Sequence, residues 1–135
     1  MLKFTEEKIF TQEQVQSLFQ SVGWVSGEYP QRLYKALMHS STVLTVWDAE
    51  RLVGLTRVLD DTEMLAQIHY VLVHPDYQGQ GIAGKIEYIK EKYKNFLYIE
   101  GMPEDKGNVA FYEKHGFEWM KNGAAIQICN YADKR

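Results

Sequence analysis

Val73-His74-Pro75-Asp76-Tyr77-Gln78-Gly79-Gln80-Gly81-Ile82-Ala83-Gly84-Lys85 joins two runs of different period. Before it, Ile68 to Val73 is apolar and rich in β-branched residues; after it, Ile82, Ile86 and Ile89 recur at helical spacing. Pro75 has no amide proton to give to a ladder, so a strand stops there, and three glycines between Gly79 and Gly84 lead into the helix. A glycine-rich passage from strand to helix sets successive backbone N–H groups, with the positive helix end, around an anion. A phosphate-bearing ligand is implied. A plain tight turn also uses glycine, but each one adds a cost in chain order that a turn need not incur three times.

Upstream, strand-like residues Lys3 to Phe10 precede Thr11-Gln12-Glu13-Gln14, a capping-box pattern, after which Val15, Leu18, Phe19 and Val22 mark a helix ending at Gly23. The loop Trp24 to Tyr29 leads to Pro30 at a first helical position, and Leu33, Tyr34, Leu37 and Met38 mark a second helix. Val43 to Trp47 and Arg51 to Leu59, separated by Asp48-Ala49-Glu50, read as an antiparallel hairpin, and Asp60-Asp61-Thr62 as the next turn. Downstream, Phe96 to Ile99 returns as a strand and Val109 to Lys114 forms a helix closed by Gly116. Strands are expected near Phe117 to Met120 and Ala125 to Tyr131, the latter burying Cys129 as a small alternating residue. This order predicts one α+β domain over 1–135, three-layered, with a mostly antiparallel sheet that becomes mixed at the strand-helix-strand unit.

Composition bounds the function. Fifteen Lys plus Arg against eighteen Asp plus Glu give a net charge of -3, without the basic face that phosphate-backbone binding requires, so nucleic acid is not expected as a partner. No run approaches a membrane span, the opening Met1 to Lys8 has no apolar signal stretch, and one cysteine forms no internal disulfide; a reducing cytoplasm is the expected compartment. No pair of His, Cys or carboxylate residues shows metal-ligand spacing, so no metal is expected.

The glycine loop fits more than one ligand class. Its letters satisfy G-x-G-x-x-G, and Glu100 lies about 20 residues on, where a ribose-binding acid belongs in a dinucleotide fold. Against that reading, Pro75 to Gln78 intervene between strand and first glycine, and no further parallel strand-helix units follow. A Walker A reading uses Gly79, Gly84 and Lys85, but Ile86 stands where Ser or Thr should ligate magnesium.

Val73 to Ala83 also resembles the acetyl-CoA motif of GNAT acetyltransferases, V-x-P-x-x-[QR]-G-x-G-[IL]-[AG], and Phe111-Tyr112-Glu113-Lys114-His115-Gly116-Phe117 is similar to their signature [FL]-Y-E-K-x-G-F. The resemblance implies a GNAT-like fold with a splayed cofactor-binding strand pair. It further implies that Gln78, Gly79, Gln80, Gly81, Ile82, Ala83 and Gly84 wrap the CoA pyrophosphate, and that Leu72 or Val73 offers an oxyanion-binding N–H. The asparagine common seven residues before the tyrosine is Asp105 here, and Asn108 falls where alanine is common, so contacts from Asn108 to CoA form a separate expectation. The implied activity is transfer of an acetyl group to a small-molecule amine or a peptide or protein amine; a homodimer is compatible with it. A non-catalytic acyl-CoA-binding or regulatory domain keeping the same loop is the rival class.

Acylation of an alkylamine of pKa about 10 requires loss of a proton, protonation of the leaving thiolate and a donor for the oxyanion. Tyr112 resembles the family's general acid. His69 is the leading base, since strand alternation places it with Val71 and Val73; Glu100, Tyr70 and water are the alternatives. Trp24, Glu28 and Tyr29 are expected to cover the acceptor pocket, an aromatic with a carboxylate suiting an ammonium. His74 and His115 read as turn and helix-end residues.

Overall fold

The computed structural model describes residues 1–104 and 106–131; Asp105 lies outside the described residues. A five-stranded sheet runs in chain order: β1 (Leu2–Thr5), β2 (Thr42–Asp48), β3 (Arg51–Asp60), β4 (Leu65–Val73) and β5 (Tyr98–Gly101). The first three junctions are antiparallel and β4–β5 is parallel. Four α-helices complete the described fold: α1 (Gln12–Ser21), α2 (Pro30–Met38), α3 (Ile82–Lys92) and α4 (Val109–Lys114). Among the described residues no helix is long and apolar enough to cross a membrane.

The capping box forms as the sequence specifies: Gln14 N–H donates to Thr11 Oγ1 at 3.1 Å and Thr11 N–H to Gln14 Oε1 at 2.9 Å, which satisfies two orphan donors and fixes the start of α1. The apolar stripes of α1 and α2 (Val15, Leu18, Phe19, Leu33, Leu37) pack with Val43, Leu55 and Leu72 on one sheet face. On the other, α3 brings Ile89 and Tyr93 against Val58, Ala66 and Ile68. The sheet is therefore covered on both faces, the three-layer α+β arrangement expected, and β2 is buried along nearly its whole length.

Two features of β4 position the site. Parallel pairing to β5 runs from Leu65↔Tyr98 to Ile68↔Gly101, where β5 ends, while β4 continues to Val73 with that side unpaired among the described residues. Between Thr56 and Arg57 of β3 the register slips, and Tyr70, at φ +69°, is the extra residue on β4.

The expected strands 117–120 and 125–131 are absent. Residues 117–131 form no ladder, Ile126 and Ile128 are 96% and 88% exposed, and Cys129 is an exposed free thiol. Alternation specifies which side chains would share a face but supplies no neighbouring backbone, and a strand exists only where pairing does.

Candidate active site

The glycine loop is anchored on both sides. Pro75–Tyr77 makes one 3-10 turn, closed by Tyr77 N–H to His74 O at 2.8 Å and followed by Gln80 N–H to Tyr77 O at 3.0 Å. The His74 imidazole accepts from Asp76 N–H at 3.1 Å, and the Tyr77 hydroxyl donates to Asp48 at the end of β2. Gly79 and Gly81 have φ of +80° and +81°, conformations that disfavour other residues. The first α3 bond is Lys85 N–H to Gly81 O at 3.0 Å, so the amides of Ile82, Ala83 and Gly84 point out of the helix N-terminus without helical acceptors. The glycines also serve packing, because a Cβ at Gly81 or Gly84 would stand 3.3 or 3.4 Å from Phe4 Cζ. Gln78 turns back to β4, its Nε2 donating to Val73 O at 3.0 Å.

Beyond Ile68, one side of β4 has no strand partner among the described residues. His74 N–H donates to Val53 O at 2.8 Å, and antiparallel alternation from that bond turns the Leu72 amide toward β3 and those of Val71 and Val73 into the opening. Of the two oxyanion donors expected, Val73 thus faces the gap and Leu72 does not. Behind it lies Lys85, fully buried, whose Nζ donates to Leu72 O at 3.0 Å and Leu55 O at 3.4 Å. Burial pushes its pKa down to about 7. As a sequence feature Lys85 stands out only as a phosphate-loop lysine; its place four residues before Ile89, on the buried helix stripe, is the signal of its burial.

The bulge redirects His69. Tyr70 and Leu72 pack on the α1 face while Ile68 and Val71 pack on the α3 face, so the chain crosses the sheet once without alternating. His69 consequently lies with Tyr70, ring centroids 4.1 Å apart, and not with Val71 and Val73. Tyr70 is held by Phe19 and Trp24, and its hydroxyl is 2.6 Å from Ser26 Oγ. Arg57 Nη2 donates to His69 Nδ1, which places the proton of the neutral imidazole on Nε2. Desolvation and the Arg57 charge both hold the His69 pKa below its ordinary value. The basic lone pair expected of His69 is therefore occupied by Arg57.

A broad cleft on this side is lined by Trp24, Tyr29, Arg57, His69, Glu100 and Tyr112, among others. Tyr112 is half-buried between Phe111 and Phe117, and burial raises its pKa. Asn108, at the N-terminus of α4, also lines the cleft; Glu28 and residues 78–84 do not. Tyr29 is buried and stacks on Tyr131, and Trp24 packs on Phe19. His115 Nδ1 lies 2.6 Å from Glu87 of α3, a structural link at the helix end.

Comparison with known proteins adds a family. Residues 9–117 match the model of the acetyltransferase (GNAT) family. An uncharacterised N-acetyltransferase, ycf52, of Porphyra purpurea is 33% identical over 112 residues, 77% of this chain, which spans 63% of that protein's length. A ycf52-like N-acetyltransferase of Prochlorococcus marinus is 31% identical over 127 residues, 89% of this chain and 69% of its own. A solved GNAT family acetyltransferase from Streptococcus pneumoniae superposes with TM-score 0.81 at 27% identity, covering 97% of this chain and 99% of that one. A Staphylococcus aureus protein of unknown function gives TM-score 0.83 at 27% identity, with 97% and 100% covered.

Proposed function

The chain belongs to the GNAT acetyltransferase family, and from that premise we propose that it transfers an acetyl group from acetyl-CoA to an amine by direct attack on the thioester. The observation that supports this best is the pair of Val71 and Val73 amides left open where β4 leaves β5, next to a loop with outward-pointing amides at Ile82, Ala83 and Gly84. Gln78 to Gly84 hold the pyrophosphate, and the open β4 amides donate to carbonyls of the acyl-bearing arm, one of them donating to the developing oxyanion.

As the N–C bond forms and the C–S bond breaks, the thiolate takes the Tyr112 proton. A buried phenol keeps its proton at neutral pH and is available as donor. The attacking ammonium first loses a proton, to His69 once Arg57 releases Nδ1, or to bound water. Trp24 and Tyr29 wall the acceptor side; Glu28, outside the cleft lining, meets only a larger acceptor. We assign the activity to the cytoplasm, where the lone Cys129 stays reduced.

Calorimetry with acetyl-CoA, CoA and NAD, followed by thiol release from acetyl-CoA with an amine panel, tests the reading. Binding of acetyl-CoA and amine-dependent thiol are expected. NAD binding without CoA binding would sink the donor assignment; CoA binding with no thiol from any amine would leave a non-catalytic acyl-CoA-binding domain.

A further inference from the structure

Arg57 is a charge in a strand that otherwise is buried from Leu52 to Val58. It is half-buried, at the bulge opposite His69, with its guanidinium 4.8 Å from the Tyr70 ring centroid. Its Nε is buried and has no hydrogen-bond partner, and among the described residues no carboxylate pairs with it. Among the described residues its guanidinium donates to the His69 imidazole and to no carboxylate. A buried donor without an acceptor is destabilising, and a planar guanidinium with spare N–H groups matches a carboxylate or phosphate bidentately. Burial lowers its pKa as well, the neighbouring Tyr70 working the other way.

The surroundings favour a ligand over a missing structural partner. Arg57 lines the same cleft as Trp24, His69 and Tyr112. Glu100 is on the same sheet face, since its neighbour Ile99 packs with the α3 core and its register partner is Gln67, two residues before His69. One cleft thus offers a cation at Arg57 and an anion at Glu100.

Building on the acetyl-transfer reading, we propose that the acceptor is an acidic amine whose carboxylate or phosphate binds Arg57, and that this contact draws the guanidinium from His69 Nδ1. The freed lone pair then takes the amine's proton, and the resulting imidazolium no longer faces an uncompensated guanidinium. No other atom changes hands: the anion only exchanges one Arg57 acceptor for another. An acceptor without an anion leaves His69 capped.

Two matched pairs of probes test this with the full chain: β-alanine against β-alaninamide, and O-phosphoethanolamine against ethanolamine. Long-range ¹H–¹⁵N spectra read the His69 ring and the Arg57 guanidinium directly. The acidic member of at least one pair should displace both sets of signals, and its neutral partner should leave them in place; which pair responds identifies carboxylate or phosphate. In thiol-release assays the acidic member should be favoured roughly 30-fold or more in kcat/KM, the scale of losing one partner of a desolvated charge pair. Arg57→Met should bring that ratio near unity, and Arg57→Lys should restore part of it. Arg57 signals unmoved by β-alanine, O-phosphoethanolamine and acetate would overturn the proposal, as would a neutral member used as well as its acidic partner. Displaced signals without thiol release from any amine would uphold the anion site while refuting acetyl transfer.

Discussion

The Lys85 ammonium is bonded to Leu72 O at 3.0 Å, and that carbonyl belongs to the same peptide unit as the Val73 N–H facing the gap. The Lys85 side chain therefore reaches through the buried interior to the back of the peptide whose N–H faces away from β3. A cation on a carbonyl oxygen draws electron density through the amide and strengthens its N–H as a donor.

Lys85 should leave a signature in stability. Its pKa falls to about 7 in the fold, whereas an unfolded lysine titrates near 10.4, so between these values the unfolded chain binds more protons. Unfolding free energy should be flat below about pH 7 for this group and then rise to about pH 10, by up to roughly 5 kcal/mol. Lys85→Met should abolish most of that rise. Urea titrations at several pH values check it, and stability falling over this window in the native chain but not in the variant would contradict it.

Tyr112→Phe removes a hydroxyl while keeping the ring between Phe111 and Phe117. Fold and CoA affinity should survive, and turnover should drop roughly 10-fold to 10³-fold if thiolate departure limits the rate. Thioesters with better leaving groups should rescue the variant more than the native chain. Equal response would reduce Tyr112 to packing.

His69→Ala should lower turnover by roughly 10²-fold with CoA affinity unchanged. In the native chain the acidic limb of kcat/KM should fall below the ordinary histidine range, because desolvation and then Arg57 disfavour the imidazolium. Arg57→Met should move that limb upward in pH. An acidic limb that persists in His69→Ala would assign proton removal to Glu100 or water.

Gly81→Ala combines two costs: φ of +81° and a Cβ 3.3 Å from Phe4 Cζ. About 1–2 kcal/mol of stability should be lost. Gly79→Ala meets nothing within 4 Å, so it isolates backbone conformation from contact and should cost less. Both should weaken acetyl-CoA binding by calorimetry; unaltered affinity in both would move the phosphate site elsewhere.

Much of this architecture is written locally in the chain. Thr11 with Gln14, Pro30, the Asp48-Ala49-Glu50 turn, Pro75 and Gly116 mark ends of elements through their own chemistry, and the observed boundaries follow them. The bulge at Tyr70 is not local: it arises from how β3 and β4 pair, and it reversed the face assigned to His69. Arg57 was passed over for the same reason, since a charge amid Val-Gly-Leu-Thr and Val-Leu is visible but its neighbour across the ladder is not. Residues 117–131 carry strand-like patterning without a partner edge.

Because β5 ends at Gly101, β4 from His69 to Val73 keeps one edge unpaired among the described residues. Peripheral edges invite a second polypeptide, which is why proteins guard them with charges or bulges. This edge is guarded by shape: it lies in a wedge closed at Ile68 and Gly101 and backed by α3. A polypeptide entering it would have to pass the end of β5 and place side chains on alternate faces, one of which carries α3. The same geometry that leaves the Val71 and Val73 amides unpaired thus keeps them off the periphery of the sheet, where strands of other molecules add.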